Sequence, residues 1–218
     1  MSHAARLYLV SPPVVPDIAA FADSFSAALE AGDIACFQLR LKSADDVCAS
    51  DDDVLWAAEK LLPIAQAHNV AFLINDRPDL AIKAGVDGVH LGQSDTPLKD
   101  ARVMLGDDAY IGVTCHNSRH LALDAGEAGA DYVAFGAFFP TQTKTASTKA
   151  DISLLEWWTY ATTTQCVAIG GITPANCGHL VHAGADFVAV SGAVWNGADG
   201  PAAAVRAFNE ALAAHSPG

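Results

Sequence analysis

The segment VAFLINDRPDLAIKAGVDGVHLGQSD, residues 70–95, contains two short apolar runs that flank one segment of helical length. The runs at residues 70–74 and 88–91 are too short for helices and are bounded by turn-forming residues, so both are predicted as buried strands. A helix is predicted between them, over residues 79–84. A strand, a helix and a second strand in this order predict a β-α-β unit, in which the two strands lie parallel.

Two carboxylates follow directly on the ends of these predicted strands: Asp76 after the first and Asp95 after the second. Because the carboxyl ends of parallel strands lie side by side, the two acids are predicted to share one hard cation such as Mg²⁺. This ion accepts few protein ligands and leaves positions for substrate phosphates. Either acid alone is explained as well by a cap on the next helix. Together, with Asn75, Arg77 and Gln93 beside them, they favour a site.

A repeated phrase, Ala-Gly-Val/Ala-Asp, defines the units along the rest of the chain. It occurs at residues 84–87, 128–131 and 183–186, with a weaker echo at 31–34. Gly just past a helix takes the left-handed conformation that ends it, and Asp turns the chain into the next strand. With these joints as boundaries, strands are predicted near residues 6–10, 34–41, 70–74, 88–91, 109–113, 132–136, 166–170 and 187–191.

A helix is predicted after each of these eight strands, over residues 17–30, 53–67, 79–84, 97–105, 118–127, 152–162, 174–183 and 201–213. Eight strands that each precede a helix are typical of a closed (β/α)₈ barrel. A doubly wound open sheet is the alternative, but it usually has fewer strands and leaves edges. The predicted fold is therefore α/β, a (β/α)₈ TIM barrel in a single domain over residues 1–218.

Composition limits the classes of partner. The formal net charge of −13 disfavours nucleic acid or an anionic membrane surface. No apolar run is long enough to span a bilayer, and the first residues do not resemble a secretion signal. The five scattered cysteines lack a C-x-x-C pair and are typical of reduced core residues. We expect a soluble, cytoplasmic protein that binds small phosphorylated molecules, with a homo-oligomer left open.

Other strand ends carry groups suited to phosphates. Gln38, Arg40 and Lys42 share one face of the second strand, which places two cations beside the acid pair if that face points into the barrel mouth. Cations next to such a pair suggest Mg²⁺-pyrophosphate. The fifth strand ends with Thr114 and His116, which offer a hydroxyl and an imidazole.

The later strands predict a second anion site. Gly170-Gly171 and Ser191-Gly192 end the seventh and eighth strands, where backbone N–H groups of barrels commonly bind phosphate. The polar stretch 141–149 after the sixth strand offers further hydroxyls and a cation, although a hydrophilic loop explains it equally. No Cys-His or Ser-His-Asp set is evident, so nucleophilic acyl chemistry is disfavoured. Pyrophosphate leaving toward a phosphorylated acceptor is transferase chemistry.

Seven blocks, in order and over essentially the whole chain, resemble the thiamine-phosphate synthase family: residues 6–10, 38–42, 74–77, 88–95, 139–144, 167–172 and 184–191. The resemblance implies a barrel that joins 4-amino-2-methyl-5-hydroxymethylpyrimidine pyrophosphate to 4-methyl-5-(2-hydroxyethyl)thiazole phosphate. It also implies a dissociative path, in which pyrophosphate leaves first and the thiazole nitrogen then captures the methylene cation.

Carried over by position, the resemblance implies that Asp76 and Asp95 hold Mg²⁺. The residues it implies for the pyrimidine pyrophosphate are Gln38, Arg40, Lys42, Asn75, Thr114 and Lys144. Those it implies for the thiazole phosphate are Thr141, Thr143, Gly171, Val190 and Ser191. The predicted catalytic residues are Arg40, Lys42, Thr114 and Lys144. Leu41 stands where the family commonly has Glu, and Thr114 where it commonly has Ser.

Two other functions remain as alternatives. A related thiazole tautomerase would use the same barrel and thiazole-phosphate subsite, with His116 as a possible proton shuttle. It would need neither Mg²⁺ nor pyrophosphate, so the acid pair and the neighbouring cations argue against it. A non-catalytic sensor of phosphorylated ligands is the second alternative, because the fold alone does not define the activity.

Overall fold

The computed structural model describes residues 4–42, 47–141 and 148–215. Eight parallel strands form a closed barrel in sequence order, with β8 bonded to β1. They are β1 Arg6–Val10, β2 Ile34–Leu39, β3 Ala71–Asn75, β4 Gly88–Leu91, β5 Tyr110–His116, β6 Tyr132–Gly136, β7 Gln165–Ile169 and β8 Phe187–Val190. The predicted (β/α)₈ barrel is confirmed.

The described residues contain nine helices: α1 Ile18–Glu30, α2 Asp51–Ala67, α3 Pro78–Ala84, α4 Leu98–Leu105, α5 Arg119–Glu127, α6 Ser153–Ala161, α7 Cys177–His182, α8 Gly192–Trp195 and α9 Gly200–His215. Eight of them match the predicted helices with small shifts at their ends. The ninth, α8, was not predicted, because four residues are too few to show a helical period. None of the described helices is long and apolar enough to cross a membrane.

Two strand boundaries differ from the prediction by more than one residue. β2 ends at Leu39, two residues early, and Lys42 instead forms an isolated antiparallel bridge with Cys48. β5 continues to His116, three residues further than predicted, and its register against β6 shifts between Thr114 and His116. The strand stops there because Ser118 caps α5, its hydroxyl accepting from the N–H of Leu121 at 3.2 Å.

The barrel interior contains two tyrosine rings among small apolar residues. A buried cluster within the barrel comprises Tyr8, Val10, Cys36, Leu73, Tyr132, Ala134, Val167 and Ala189. Gly112 on β5 is required beside them, because a Cβ there would collide with the ring of Tyr132. The ring of Tyr132 therefore fits inside the barrel because the neighbouring strand supplies a glycine.

The repeated joints use their Asp residues in one common way. The carboxylates of Asp87, Asp131 and Asp186 accept the backbone N–H groups of Phe72, Ile111 and Cys166 at 2.7, 2.7 and 2.8 Å, respectively. Each accepting carboxylate thus ties the start of its own strand to the start of the preceding one. The left-handed glycines predicted at these joints are present, with φ of 66°, 89° and 96° at Gly85, Gly129 and Gly184.

We expect Asp186→Ala to lower the free energy of unfolding by about 1–3 kcal/mol, because the part-buried N–H of Cys166 would lose its acceptor. Asp186→Asn should cost less, since the amide keeps one acceptor oxygen. Urea titration of both variants against Asp199→Ala, which truncates an exposed acid, measures the difference. Equal stability of Asp186→Ala and Asp199→Ala would contradict this role.

Candidate active site at the carboxyl ends of the strands

The turn after β3 holds Asp76 in an unusual backbone conformation. Its φ is 64°, in the left-handed region that non-glycine residues seldom adopt. The N–H of Asp76 donates to the carbonyl of His90 on β4 at 2.8 Å. Such conformations cost energy and concentrate at functional sites. The end of β3 is thereby fixed against β4, on the side where Asp95 lies.

Asp95 lies against Asp76 in the mouth of the barrel. Burial raises the pKa of Asp95, and a hydrogen bond with Asp76 and the negative charge of Asp76 raise it further. The N–H of Gly92 donates to Asp95 Oδ2 at 2.8 Å and holds the carboxylate in place. The structure therefore brings together the two acids that the sequence placed at neighbouring strand ends.

The chemistry of this pair fits Mg²⁺. Two carboxylates in contact repel each other when both are ionised, and a divalent cation between them would remove that repulsion. Within residues 4–42, 47–141 and 148–215, no group of three or more acids, histidines or cysteines is arranged for a metal. Two carboxylates suit Mg²⁺, which keeps several waters or takes phosphate oxygens in its other positions.

The segment after β2 supplies a cation beside the acid pair. Lys42 Nζ lies 3.2 Å from Asp76 Oδ2, and the two side chains are only 17% and 14% exposed. The backbone N–H of Arg40 donates to Ser11 Oγ at 2.9 Å, and its guanidinium lies 3.4 Å from the carbonyl of Lys42. Lys42 thus lies beside Asp76, and Arg40 lies next to Lys42, just after the end of β2.

Two residues expected beside the acids have other partners. Arg77 forms ion pairs with Asp51 at the start of α2 and Asp79 in α3, each at 2.7 Å. Gln93 donates from Nε2 to the carbonyl of Thr114 at 2.6 Å and so joins the ends of β4 and β5. The contacts of Arg77 join the turn after β3 to α2 and α3, and the contact of Gln93 joins β4 to β5.

A chain of hydrogen bonds crosses the barrel below the mouth. It joins, in order, Asn75, Gln38, Tyr8, Tyr132, His90 and Thr114, through contacts of 2.6, 3.0, 2.9, 2.9 and 2.8 Å. Each of the strands β1 to β6 contributes one of these residues. Burial lowers the pKa of His90 to about 4, so its imidazole is neutral near pH 7.

Tyr8, His90 and Tyr132 were not among the predicted site residues. Each lies in a short strand whose other residues are mostly apolar, and each was assigned to the strand alone. Polar side chains inside apolar strands were a usable signal of a hydrogen-bond network, because a buried polar side chain needs a hydrogen-bond partner. The sequence does not show which strands supply those partners.

The backbone is closely packed against neighbouring segments where β7 and β8 end. Gly171 has φ 62°, and a Cβ there would collide with the carbonyl oxygen of Pro140. Ser191 Oγ donates to the carbonyl of Ser11 at 3.0 Å, which ties the end of β8 to the end of β1. Val190 is the last residue of β8, opposite Leu9 of β1.

The predicted residues of the loop after β6 are described only in part. Thr141 ends the described stretch that follows β6 and is half-buried. Thr143 and Lys144 lie outside the described residues.

Comparison with known proteins identifies relatives over nearly the whole length. Residues 7–194 match the family model described as thiamine monophosphate synthase. The thiamine-phosphate synthase of Rhodospirillum centenum is 58% identical over 207 residues, covering 95% of this chain and 97% of that protein. That of Hyphomonas neptunium is 54% identical, with 94% and 92% covered. The structure of thiamine phosphate pyrophosphorylase from Pyrococcus furiosus superimposes with a TM-score of 0.82 at 27% identity, covering 97% of each chain.

Proposed function

The chain belongs to the thiamine monophosphate synthase family and is a transferase of thiamine biosynthesis, and from this premise we propose how its residues catalyse the reaction. The proposed substrates are 4-amino-2-methyl-5-hydroxymethylpyrimidine pyrophosphate and 4-methyl-5-(2-hydroxyethyl)thiazole phosphate. The products are thiamine monophosphate and pyrophosphate. The observation that carries the proposal is the contact between Asp76 and Asp95 beside the ammonium of Lys42.

The acid pair and the cations of β2 are proposed to hold the pyrophosphate. Asp76 and Asp95 would hold Mg²⁺, which supplies positive charge to the departing pyrophosphate when it is bound. Lys42 lies 3.2 Å from Asp76 and would place its charge on the same leaving group. Arg40 would add a second cation from the same strand end. A net charge of −13 makes these local cations necessary for an anionic substrate.

The ends of β7 and β8 are proposed to bind the thiazole phosphate. In barrels of this type, the loops after the seventh and eighth strands and a short extra helix commonly bind phosphate. Here α8, Gly192–Trp195, directly follows Ser191, and Gly171 allows a close backbone approach. Thr141, Thr143 and Val190 complete the proposed subsite.

The proposed chemistry is dissociative. The leaving group is stabilised by cations already in position, so the carbon–oxygen bond breaks before the thiazole nitrogen attacks. The aminopyrimidine spreads the resulting positive charge on its methylene carbon. Asn75, at the end of β3, and Thr114, two residues before the end of β5, would orient this substrate. Preorganised charge of this kind is the main source of catalysis in such sites, and no protein nucleophile is required.

Pyrophosphate release tests the proposal directly. We expect purified protein to release pyrophosphate when both substrates and Mg²⁺ are present, and to stop when excess chelator is added. Release should also require the thiazole phosphate. A protein that binds the thiazole phosphate but releases no pyrophosphate would fit the tautomerase or the sensor instead.

The thiazole-phosphate subsite is tested by Gly171→Ala. We expect this change to raise KM for the thiazole phosphate by about tenfold or more, because the added methyl displaces the carbonyl of Pro140. Gly85→Ala is the matched control, since φ is 66° there and a Cβ would meet nothing within 4 Å. Steady-state kinetics with each substrate varied in turn separates the two subsites. Equal KM changes for both substrates would argue against the assignment.

A further inference from the structure

The hydrogen-bond chain across the barrel has accessible ends and a buried middle. Asn75 and Thr114, at its two ends, are half-buried at the mouth. The four residues between them are Tyr8, Gln38, Tyr132 and His90, with exposures of 2%, 5%, 7% and 8%. The two ends are the residues of this hydrogen-bond chain most exposed at the mouth, so the buried tyrosines can influence a substrate there through the hydrogen bonds.

The direction of the first bonds follows from the orientation of the Gln38 and Asn75 side-chain amides, together with the number of hydrogens each group can donate. Gln38 donates from Nε2 to Asn75 Oδ1, and its own Oε1 accepts from the hydroxyl of Tyr8. A tyrosine hydroxyl has one hydrogen, so Tyr8 cannot also donate to Tyr132. The bond of 2.9 Å between the two hydroxyls therefore has Tyr132 as its donor.

The same reasoning fixes the remaining bonds. Tyr132 has used its hydrogen, so its oxygen accepts from Nδ1–H of His90 at 2.9 Å. The imidazole is 8% exposed and both of its nitrogens face uncharged hydroxyl groups, so burial favours the neutral form, which carries this one hydrogen. Nε2 is then an acceptor, and the Thr114 hydroxyl donates to it at 2.8 Å. All five bonds run in one direction, from Thr114 to Asn75.

We propose that Tyr8 and Tyr132 are positioning residues that hold Thr114 Oγ1 as an acceptor, and the Asn75 amide as a donor, toward the substrate. Thr114 has given its only hydrogen to His90, so it offers lone pairs to the mouth. Asn75 accepts from Gln38 through its oxygen, so it offers its Nδ2–H groups. The pattern of donors and acceptors in the mouth is thus set from inside the barrel.

This pattern assigns a different ligand group to each end, and it rests on the proposed function. Asn75 suits phosphate oxygens or a ring nitrogen, which accept hydrogen bonds. Thr114 suits the amino group of the aminopyrimidine, which donates. As positive charge develops on the pyrimidine, this amino group becomes a stronger donor, and an acceptor-only oxygen stabilises it further. A phosphate oxygen placed at Thr114 would face only the lone pairs of Oγ1 and would find no hydrogen-bond donor there.

The tautomer of His90 is the decisive observable. With ¹⁵N-labelled histidine, the shifts of the two ring nitrogens distinguish Nδ1–H from Nε2–H, and the His90 signals are those absent from His90→Asn. We expect Nδ1–H in the wild-type protein. Tyr8→Phe should change it to Nε2–H, because Tyr132 then turns its hydrogen toward Nδ1 of His90. Tyr110→Phe, which alters a ring that is 52% exposed on β5, should leave the tautomer unchanged.

Kinetics test the consequence for the substrate. We expect Tyr132→Phe to lower kcat/KM for the pyrimidine pyrophosphate by on the order of tenfold to a hundredfold, and Tyr110→Phe to leave it unchanged. In a Thr114→Val background, Tyr132→Phe should cost much less, because no hydroxyl remains to be oriented. A purely structural role of Tyr132 would give equal losses in both backgrounds.

The outcomes separate this inference from the proposed function. Nε2–H in the wild-type protein, or no change of tautomer in Tyr8→Phe, would overturn the inference whatever the activity. A second outcome is Nδ1–H in the wild-type protein, with the expected change in Tyr8→Phe, but no release of pyrophosphate. This outcome would support the direction of the hydrogen bonds and reject the transferase assignment. The wild-type measurement needs only His90→Asn, for assignment of the signals, so a Tyr132→Phe protein that fails to fold does not remove the test.

Discussion

Asp76→Asn and Asp95→Asn are each expected to lower Mg²⁺-dependent pyrophosphate release by about 10³-fold or more, since a bound metal contributes several kcal/mol to such a step. Each change removes half of the carboxylate pair in the mouth. Isothermal titration with Mg²⁺ should show weakened binding in both variants. Unchanged Mg²⁺ affinity and unchanged turnover would show that the metal lies elsewhere.

Asparagine is the informative replacement because it keeps the local contacts. In Asp95→Asn the amide oxygen can still accept from the N–H of Gly92, now at 2.8 Å from Asp95 Oδ2. Both acids lie at the mouth and are half-buried, so circular dichroism and the unfolding midpoint should stay near those of the wild-type protein. Asp100→Asn, which neutralises an exposed acid at the start of α4, is the matched control for the loss of one charge.

The double variant Asp76→Asn/Asp95→Asn separates a shared metal site from two independent acids. If both carboxylates hold one cation, the first substitution already removes most of the benefit. The double variant should then lose far less than the product of the two single losses. Multiplicative losses would indicate that the two carboxylates act separately.

The sequence was sufficient to predict the barrel because its joints are repeated. The three Ala-Gly-x-Asp joints mark the same point in three units, and the closed strand order follows from this regular alternation. The closeness of Asp76 to Asp95 was predictable for the same reason, since residues that follow adjacent parallel strands lie at the same edge of the sheet. Strand order thus determines which loops meet, and the sequence gives the order directly.

The hydrogen-bond chain could not be predicted, because its geometry depends on which side chains point into the barrel. Strands of a barrel are buried on both faces, so an apolar run does not reveal which residues face inward. Tyr132 and Gly112 illustrate this: the ring occupies the space that the glycine leaves on the next strand. The outward pairing of Arg77 with Asp51 was likewise hidden, since the two residues are 26 positions apart.

Lys42→Met is expected to lower kcat by about 10²–10³-fold, which is the usual cost of removing one preorganised charge or donor from a developing anion. Lys42 Nζ lies 3.2 Å from Asp76 Oδ2, and its side chain is 17% exposed, so solvent screens its charge weakly. Methionine has a similar length and shape without the charge. Single-turnover pyrophosphate release, compared with Lys83→Met at an exposed position on α3, measures the effect.

A double variant tests whether the charge of Lys42 acts on Asp76 alone or also on the pyrophosphate. If Lys42 only neutralises Asp76, its loss should have no further effect once Asp76 is already Asn, so Asp76→Asn/Lys42→Met would match Asp76→Asn. If Lys42 also contacts the pyrophosphate, the double variant should be slower still. We expect the second result, because negative charge on the leaving group grows as the bond breaks and a cation near it becomes more valuable. A double variant equal to Asp76→Asn would limit Lys42 to holding the carboxylate.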